Sequence, residues 1–389
     1  MQSFNHERLK SARLLAGLSL RQVEEALHFK VTYNSINKYE KGLMKPDNGM
    51  ILLLAEILKV TPAYFLEQNT VELGDISFRK KSTMTAVEVA LIKEKTKNKV
   101  ERYIEAERLL HISRKFSNPL AGKHIKDAAR AEALADIVRN EWGLGMDPIS
   151  NVIEMLEEHG VKVIDIHAPE KFDGLCTFVD DGIPVVVIND SFTIERKRFT
   201  ALHELGHLMM SIRADDHRET ERACHRFAGA MLLPATALKK TLGELRSKVS
   251  PGELIAVKEE YGISVQATMR RALDLGIISP VVYQQFFKSI AGNKKETGMG
   301  SFKGEEKSHR LLQMVCRLAS EGVITVDKAA LLAGLDLSDF NAFYHNIPVG
   351  EDINFYSISE AAFANAWAED EPEYSLDDVK TINPEYAGR

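Results

Sequence analysis

His203-Glu204-Leu205-Gly206-His207 sets two imidazoles four residues apart, with a carboxylate directly after the first. On a helix, positions i and i+4 lie one turn apart on the same face, so both rings can reach one zinc ion. Glu204 then neighbours the metal without ligating it. A carboxylate about one water away from a Lewis acid can take the proton of an attacking water, which is the chemistry of metal-assisted hydrolysis. A catalytic zinc site needs a third protein ligand and an open position. Glu221 is the favoured third ligand, with His217 and Asp216 as alternatives. His225, one turn beyond Glu221, suits a hydrogen bond to the ligand shell or ligation itself.

The elements that must position these groups can be read from periodicity. Phe199, Ala201, Leu202, Leu205, Leu208, Met209 and Met210 put the motif on a buried helix. Ala223, Phe227, Ala228, Met231 and Leu232 predict a second helix over residues 219–233, where Cys224 reads as small packing. Branched and aromatic runs at 161–166, 175–179 and 184–188 predict strands, the last two forming a hairpin through Asp180-Asp181-Gly182. Val185–Asn189 is the candidate edge that could hold an extended peptide by main-chain hydrogen bonds, an ordinary core strand being the alternative. Helices are expected at 128–142 and 149–159, and a helical hairpin over 243–275, with Ser264 as an N-cap. Its Arg270 and Arg271 either face substrate carboxylates or lie on the surface.

Residues 6–67 predict five short helices, with Ser19 and Thr32 as N-caps and Gly42 and Pro46 as stops. Two short helices joined by a tight turn and bracketed by others describe a helix-turn-helix unit. The second would enter the major groove, presenting Tyr33, Asn34, Asn37 and Lys38 to base edges, and asparagine can pair bidentately with adenine. Arg21, Gln22, Lys41 and Lys45 would meet phosphates. The same unit could instead dock a protein.

The chain has 389 residues, 44% hydrophobic and 27% charged, which suits two or three globular domains. It has neither an apolar run of about 20 residues nor a signal-peptide pattern, so a cytoplasmic protein without a membrane partner is expected. Cys176, Cys224 and Cys316 are odd in number and widely spaced, which argues against a disulfide framework. The net charge of -6 excludes a uniformly basic coat, yet residues 78–130 hold 14 Lys/Arg against 6 Asp/Glu and residues 350–389 hold 10 acidic against 2 basic. The basic segment, with its run Arg79-Lys80-Lys81, carries a long helical pattern over 84–110. It either enters the following domain or helps two chains pair. After 279, helical patterns at 309–320 and 326–332 precede an acidic end from Glu369, which is either disordered or an inhibitor lying in the active cleft.

The motif, with Arg-Phe-Thr-Ala-Leu before it and Glu221-x-x-x-His225-x-Phe227-Ala228 and Met231-Leu-Leu-Pro234 after it, resembles the ImmA/IrrE metallopeptidases over about residues 140–275. These are cytoplasmic bacterial and phage proteases that cut helix-turn-helix repressors. The resemblance implies that the glutamate thirteen residues before Pro234, Glu221, is the third zinc ligand, and His225 stands where the family more often has Asn or Asp. Ser19-Leu-Arg-Gln22, Val23, Ala26-Leu27, Thr32, Ser35-Ile36, Tyr39-Glu40, Gly42 and Pro46 resemble the XRE or lambda-repressor-like family, with His28-Phe29 replacing a glycine usual in the turn. The expected fold is therefore α+β and mostly helical. A lambda-repressor-like domain (1–70) and a basic helical linker (71–127) precede a zincin-like metallopeptidase domain with a small β-sheet (128–278) and a helical extension (279–389). The expected function is a DNA-binding regulator with a zinc endopeptidase, its partners an operator DNA, a repressor or toxin as protein substrate, and a second copy of the chain. The alternative is a non-proteolytic regulator or antitoxin whose zinc is structural or sensory; a complete H-E-x-x-H favours the enzyme, since a structural site has no use for Glu204.

Overall fold

The computed structural model describes residues 4–67, 71–74, 77–78, 84–125, 127–180, 182–212 and 217–345. Asp216, the basic run Arg79-Lys80-Lys81 and the acidic end from Glu369 lie outside the described residues. The chain divides into two compact units, residues 1–334 and 335–389. Among the described residues no helix is long and apolar enough to cross a membrane.

The first unit begins with α1 (His6–Leu15), α2 (Leu20–Ala26), α3 (Tyr33–Glu40) and α4 (Asn48–Ile57), closed by a 3-10 turn over Pro62–Leu66. Each helix starts on a side chain that accepts an otherwise unpaired backbone N–H: Asn5, Ser19, Thr32 and Asp47. Leu9, Val23, Ile36, Leu54 and Phe65 meet in their core. The turn between α2 and α3 holds His28 and Phe29 at φ 52° and 57°, the left-handed region where glycine is at home.

A short strand, β1 (Ser77–Phe78), leads to α5 (Ala86–Leu109), started by a Thr85/Glu88 capping box. After β2 (His124–Ile125) come α6 (Ala131–Glu141), α7 (Val152–Glu158), β3 (Lys162–Ile166), β4 (Gly174–Val179) and β5 (Ile183–Asn189). The sheet order is β1-β4-β5-β3, with β4 antiparallel to both neighbours and β3 parallel to β5. Alternation along the strands feeds two cores. Cys176, Val186 and Ile188 pack with the metal-motif helix, while Leu175, Val185 and Val187 pack with Val71, Ile92 and Val100. The basic helix α5 thus enters the fold of the following domain and covers one face of its sheet.

The expected peptide-holding edge is an inner strand. Val185–Asn189 lies in β5, whose main chain is paired on one side with β4 and on the other with β3. The unbroken apolar run Val185-Val186-Val187-Ile188 reflects burial on both faces, as inner strands require.

Beyond the sheet follow α8 (Ile194–Met209), β6 (Ser211–Ile212, parallel to β2), α9 (His217–Leu232), α10 (Ala235–Leu242), α11 (Pro251–Tyr261), α12 (Val265–Asp274), α13 (Pro280–Ser289), α14 (Arg310–Ser320) and α15 (Val326–Ala333). α14 and α15 pack on each other and on α5. In the second unit the described part carries α16 (Leu337–His345).

Candidate metal centre

The geometry rests on how closely α8 and α9 approach. A Cβ at Gly206, inside the H-E-x-x-H segment, would sit 3.3 Å from Phe227 Cδ1 and 3.4 Å from Cys224 Cα. Only hydrogen at this position lets the two helices lie in contact without displacement. Both helices are held at their ends by polar side chains from other elements. Asn118 Nδ2 donates to the Met209 carbonyl at the end of α8 at 2.9 Å. Arg139, 2% exposed, donates to the Met231 carbonyl near the end of α9 and to Gly145 O at 2.8 Å. Near the start of α8, Arg198 is fully buried, paired with Glu306 at 2.6 Å and stacked on the Phe302 ring at 4.1 Å.

At the centre, three side chains converge. His203 Nε2 lies 3.0 Å from His207 Nε2. Glu221 Oε2 is 3.6 Å from His203 Nε2, and its Oε1 is 3.2 Å from His207 Nε2. Among the described residues, His203, His207 and Glu221 form the group whose ligand atoms could hold a metal ion. Zinc bonded to nitrogen and oxygen at 2.0–2.2 Å in tetrahedral geometry sets its ligands ~3.4 Å apart. The three separations bracket that value, so the donor set fits a tetrahedral cation in both chemistry and spacing.

The rival ligands are placed differently. His217, 80% exposed, has Nδ1 3.9 Å from Glu221 Oε1. His225 turns Nδ1 to the main-chain carbonyl of Glu221 at 2.6 Å and sets its ring edge-on to His203, centroids 4.6 Å apart. It therefore buttresses the residue that carries the carboxylate and the ring of the first histidine. Arg271, expected to be able to face substrate carboxylates, is 4% exposed and paired with Glu132. A buried guanidinium needs such a partner, so it is spent inside the fold. Arg270 is on the surface, paired with Asp274 at 3.1 Å.

Glu204 is 2% exposed. Its neighbours on β4 were missed in the sequence. A Cβ at Gly174 would lie 2.7 Å from Thr200 Cγ2 and 3.4 Å from Glu204 Cγ, so glycine is what lets β4 approach the motif helix. Cys176, two residues on and on the same face, hydrogen bonds to the Glu204 carboxylate. Burial, and then the nearby Glu204 charge, push its thiol well above the usual range, so it stays protonated and donates. The Gly-x-Cys spacing on a strand next to the motif helix was the available signal. Beside His225 and Phe199, a cleft of about 1230 Å³ opens between α8, α9, α12 and α13.

In the first domain, Arg21, Gln22, Tyr33, Asn34 and Lys38 are exposed and Asn37 is half-buried. Arg21 stands over the Tyr33 ring at 5.6 Å. Gln22 Oε1 accepts from the Ser19 N–H at 2.8 Å, so its oxygen serves the α2 cap and its amide NH2 is what it can offer a phosphate.

Residues 156–273 match the model of a peptidase family described as the IrrE N-terminal-like domain. Residues 9–65 match the helix-turn-helix model. No curated protein matches the chain.

Proposed function

From a chain that joins a helix-turn-helix domain to an IrrE N-terminal-like domain, we propose a DNA-binding regulator with a zinc-dependent endopeptidase that cuts a helix-turn-helix repressor or a related regulatory protein. The convergence of His203, His207 and Glu221 beside the buried Glu204 carries this reading. The three side chains would hold zinc, which when bound supplies Lewis acidity that lowers the pKa of water to about 7 and polarises a carbonyl.

The chain's own residues do the rest. Glu204 takes the proton of the attacking water on its carboxylate and returns it to the leaving amine. The protonated Cys176 thiol holds that carboxylate in place by donating to it. His225, bonded to the Glu221 carbonyl, fixes the residue that closes the ligand set. The α3 face, with Tyr33, Asn34 and Lys38 exposed, supplies operator contacts, and Arg21 and Gln22 meet phosphates.

The experiment is incubation of the zinc-loaded chain with a purified helix-turn-helix repressor. Glu204→Gln is expected to keep its zinc and lose cleavage by at least about a hundredfold. Unchanged cleavage by that variant would remove Glu204 from the chemistry.

A further inference from the structure

A peptidase that cuts inside a polypeptide must hold several residues extended across its site, and a strand edge does this through main-chain hydrogen bonds. The strand beside the reacting groups is β4, which brings Gly174 against Glu204 and donates to it from Cys176. One edge of β4 is taken by β5. The other is taken as well, by the chain's own segment between the first domain and α5. The Asp180 N–H donates to the Glu72 carbonyl at 3.3 Å and the Gly74 N–H to the Phe178 carbonyl at 2.9 Å. The Glu72 N–H donates to Asp180 Oδ1 at 2.9 Å, and Leu73 bridges Val179. Further along, Ser77 and Phe78 pair with Cys176 and Leu175, antiparallel. Val71, 1% exposed, anchors the segment in the core beneath α5.

We infer that the outer edge of β4 is the docking edge for an extended polypeptide, and that residues 71–74 and 77–78 are its resident occupant, a tethered competitor that must leave before a substrate can lie beside Glu204. This rests on the peptidase reading and adds its control. A tethered segment acts at an effective concentration in the millimolar range, so it outcompetes a free polypeptide of similar bonding at micromolar concentration. The segment starts a few residues after the Pro62–Leu66 turn that closes the helix-turn-helix unit.

Gly74 gives the test. A Cβ there would lie 2.8 Å from the Phe178 carbonyl oxygen, so Gly74→Val forces the segment off β4. The probe is fluorescein-labelled, reduced and alkylated casein, and binding is read by fluorescence anisotropy in full-length, zinc-loaded protein carrying Glu204→Gln, so that binding is separated from hydrolysis. Adding Gly74→Val should tighten binding about tenfold or more and speed hydrogen exchange at the Asp180 amide. In a second variant, Leu73→Cys with Val179→Cys, oxidation should weaken binding and reduction restore it, which keeps the test independent of how well Gly74→Val folds. An unchanged affinity despite a faster Asp180 amide, or an affinity indifferent to the redox state of the engineered pair, overturns the inference. If binding shifts as expected but no form with intact Glu204 cleaves casein, the docking edge stands and only the hydrolytic reading falls.

Discussion

Away from the metal centre, Glu157 is a carboxylate buried among polar partners. It is 3% exposed, accepts from the Tyr103 hydroxyl at 3.1 Å and from Ser308 Oγ at 2.8 Å, and lies near Lys162 and Arg310. Burial outweighs these partners and raises its carboxyl to about 7. A folded-state value above the unfolded one means that the folded chain binds the extra proton between about pH 4.5 and 7, so this group's contribution falls as pH rises through that window. Glu157→Gln should flatten the slope of melting temperature against pH between 5 and 7.5, a contribution of order 3 kcal/mol at most; an unaltered slope would assign it elsewhere. At the metal centre, Gly206→Val should cost about 1–3 kcal/mol by overpacking the α8/α9 contact and should weaken zinc binding, since Glu221 moves with α9. Thermal melts and competition with a chromophoric chelator read both effects. The convergence of His203, His207 and Glu221 was legible in the sequence because its geometry is simple: one turn of helix, then one helix facing another. Cys176 and Gly174 were not, because which strand lies against the motif helix is a matter of long-range pairing.

At the level of elements, the first domain is fastened to α5 by a buried ion pair, Arg8 Nη1 to Glu101 Oε2 at 2.7 Å, with Arg8 also over the Tyr64 ring. Glu101→Ala would leave the guanidinium buried without its carboxylate and should cost about 3–5 kcal/mol. Hydrogen exchange should show the loss concentrated in α1 and the α5 segment around Val100, rather than spread through the sheet. The helices themselves were readable from caps and periodicity, with α9 falling within two residues of expectation at each end. Of the two roles open to the 84–110 helix, entry into the following domain is the one seen: Ile92 and Val100 of α5 complete a core with β3, β4 and β5. Of the two readings of Val185–Asn189, the core strand is the one seen: β5 carries the strongest strand pattern because it is buried on both faces, whereas the outer edge of β4 is covered by β1, two residues long and without a pattern of its own.

At the scale of the whole molecule, the proposal joins operator recognition to proteolysis in one chain. Asn34→Ala should weaken specific operator binding by about 1–3 kcal/mol and relax preference at one base position, whereas Arg21→Ala should lower the salt dependence of binding by about one ion. Titrations at several salt concentrations distinguish the two, and equal losses on operator and random DNA for Asn34→Ala would deny it a base-reading role. The two motif-bearing segments were plain from sequence because each has its own residue pattern, while the covering of the β4 edge by residues 71–74 and 77–78 depends on contacts a hundred residues apart. The most direct test of the account is zinc-edge X-ray absorption on the metal-loaded full chain. The account predicts a shell of nitrogen and oxygen at about 2.0–2.2 Å with two imidazoles, lost in Glu221→Ala. A sulfur shell at about 2.3 Å, or a spectrum that Glu221→Ala leaves unaltered, would contradict it.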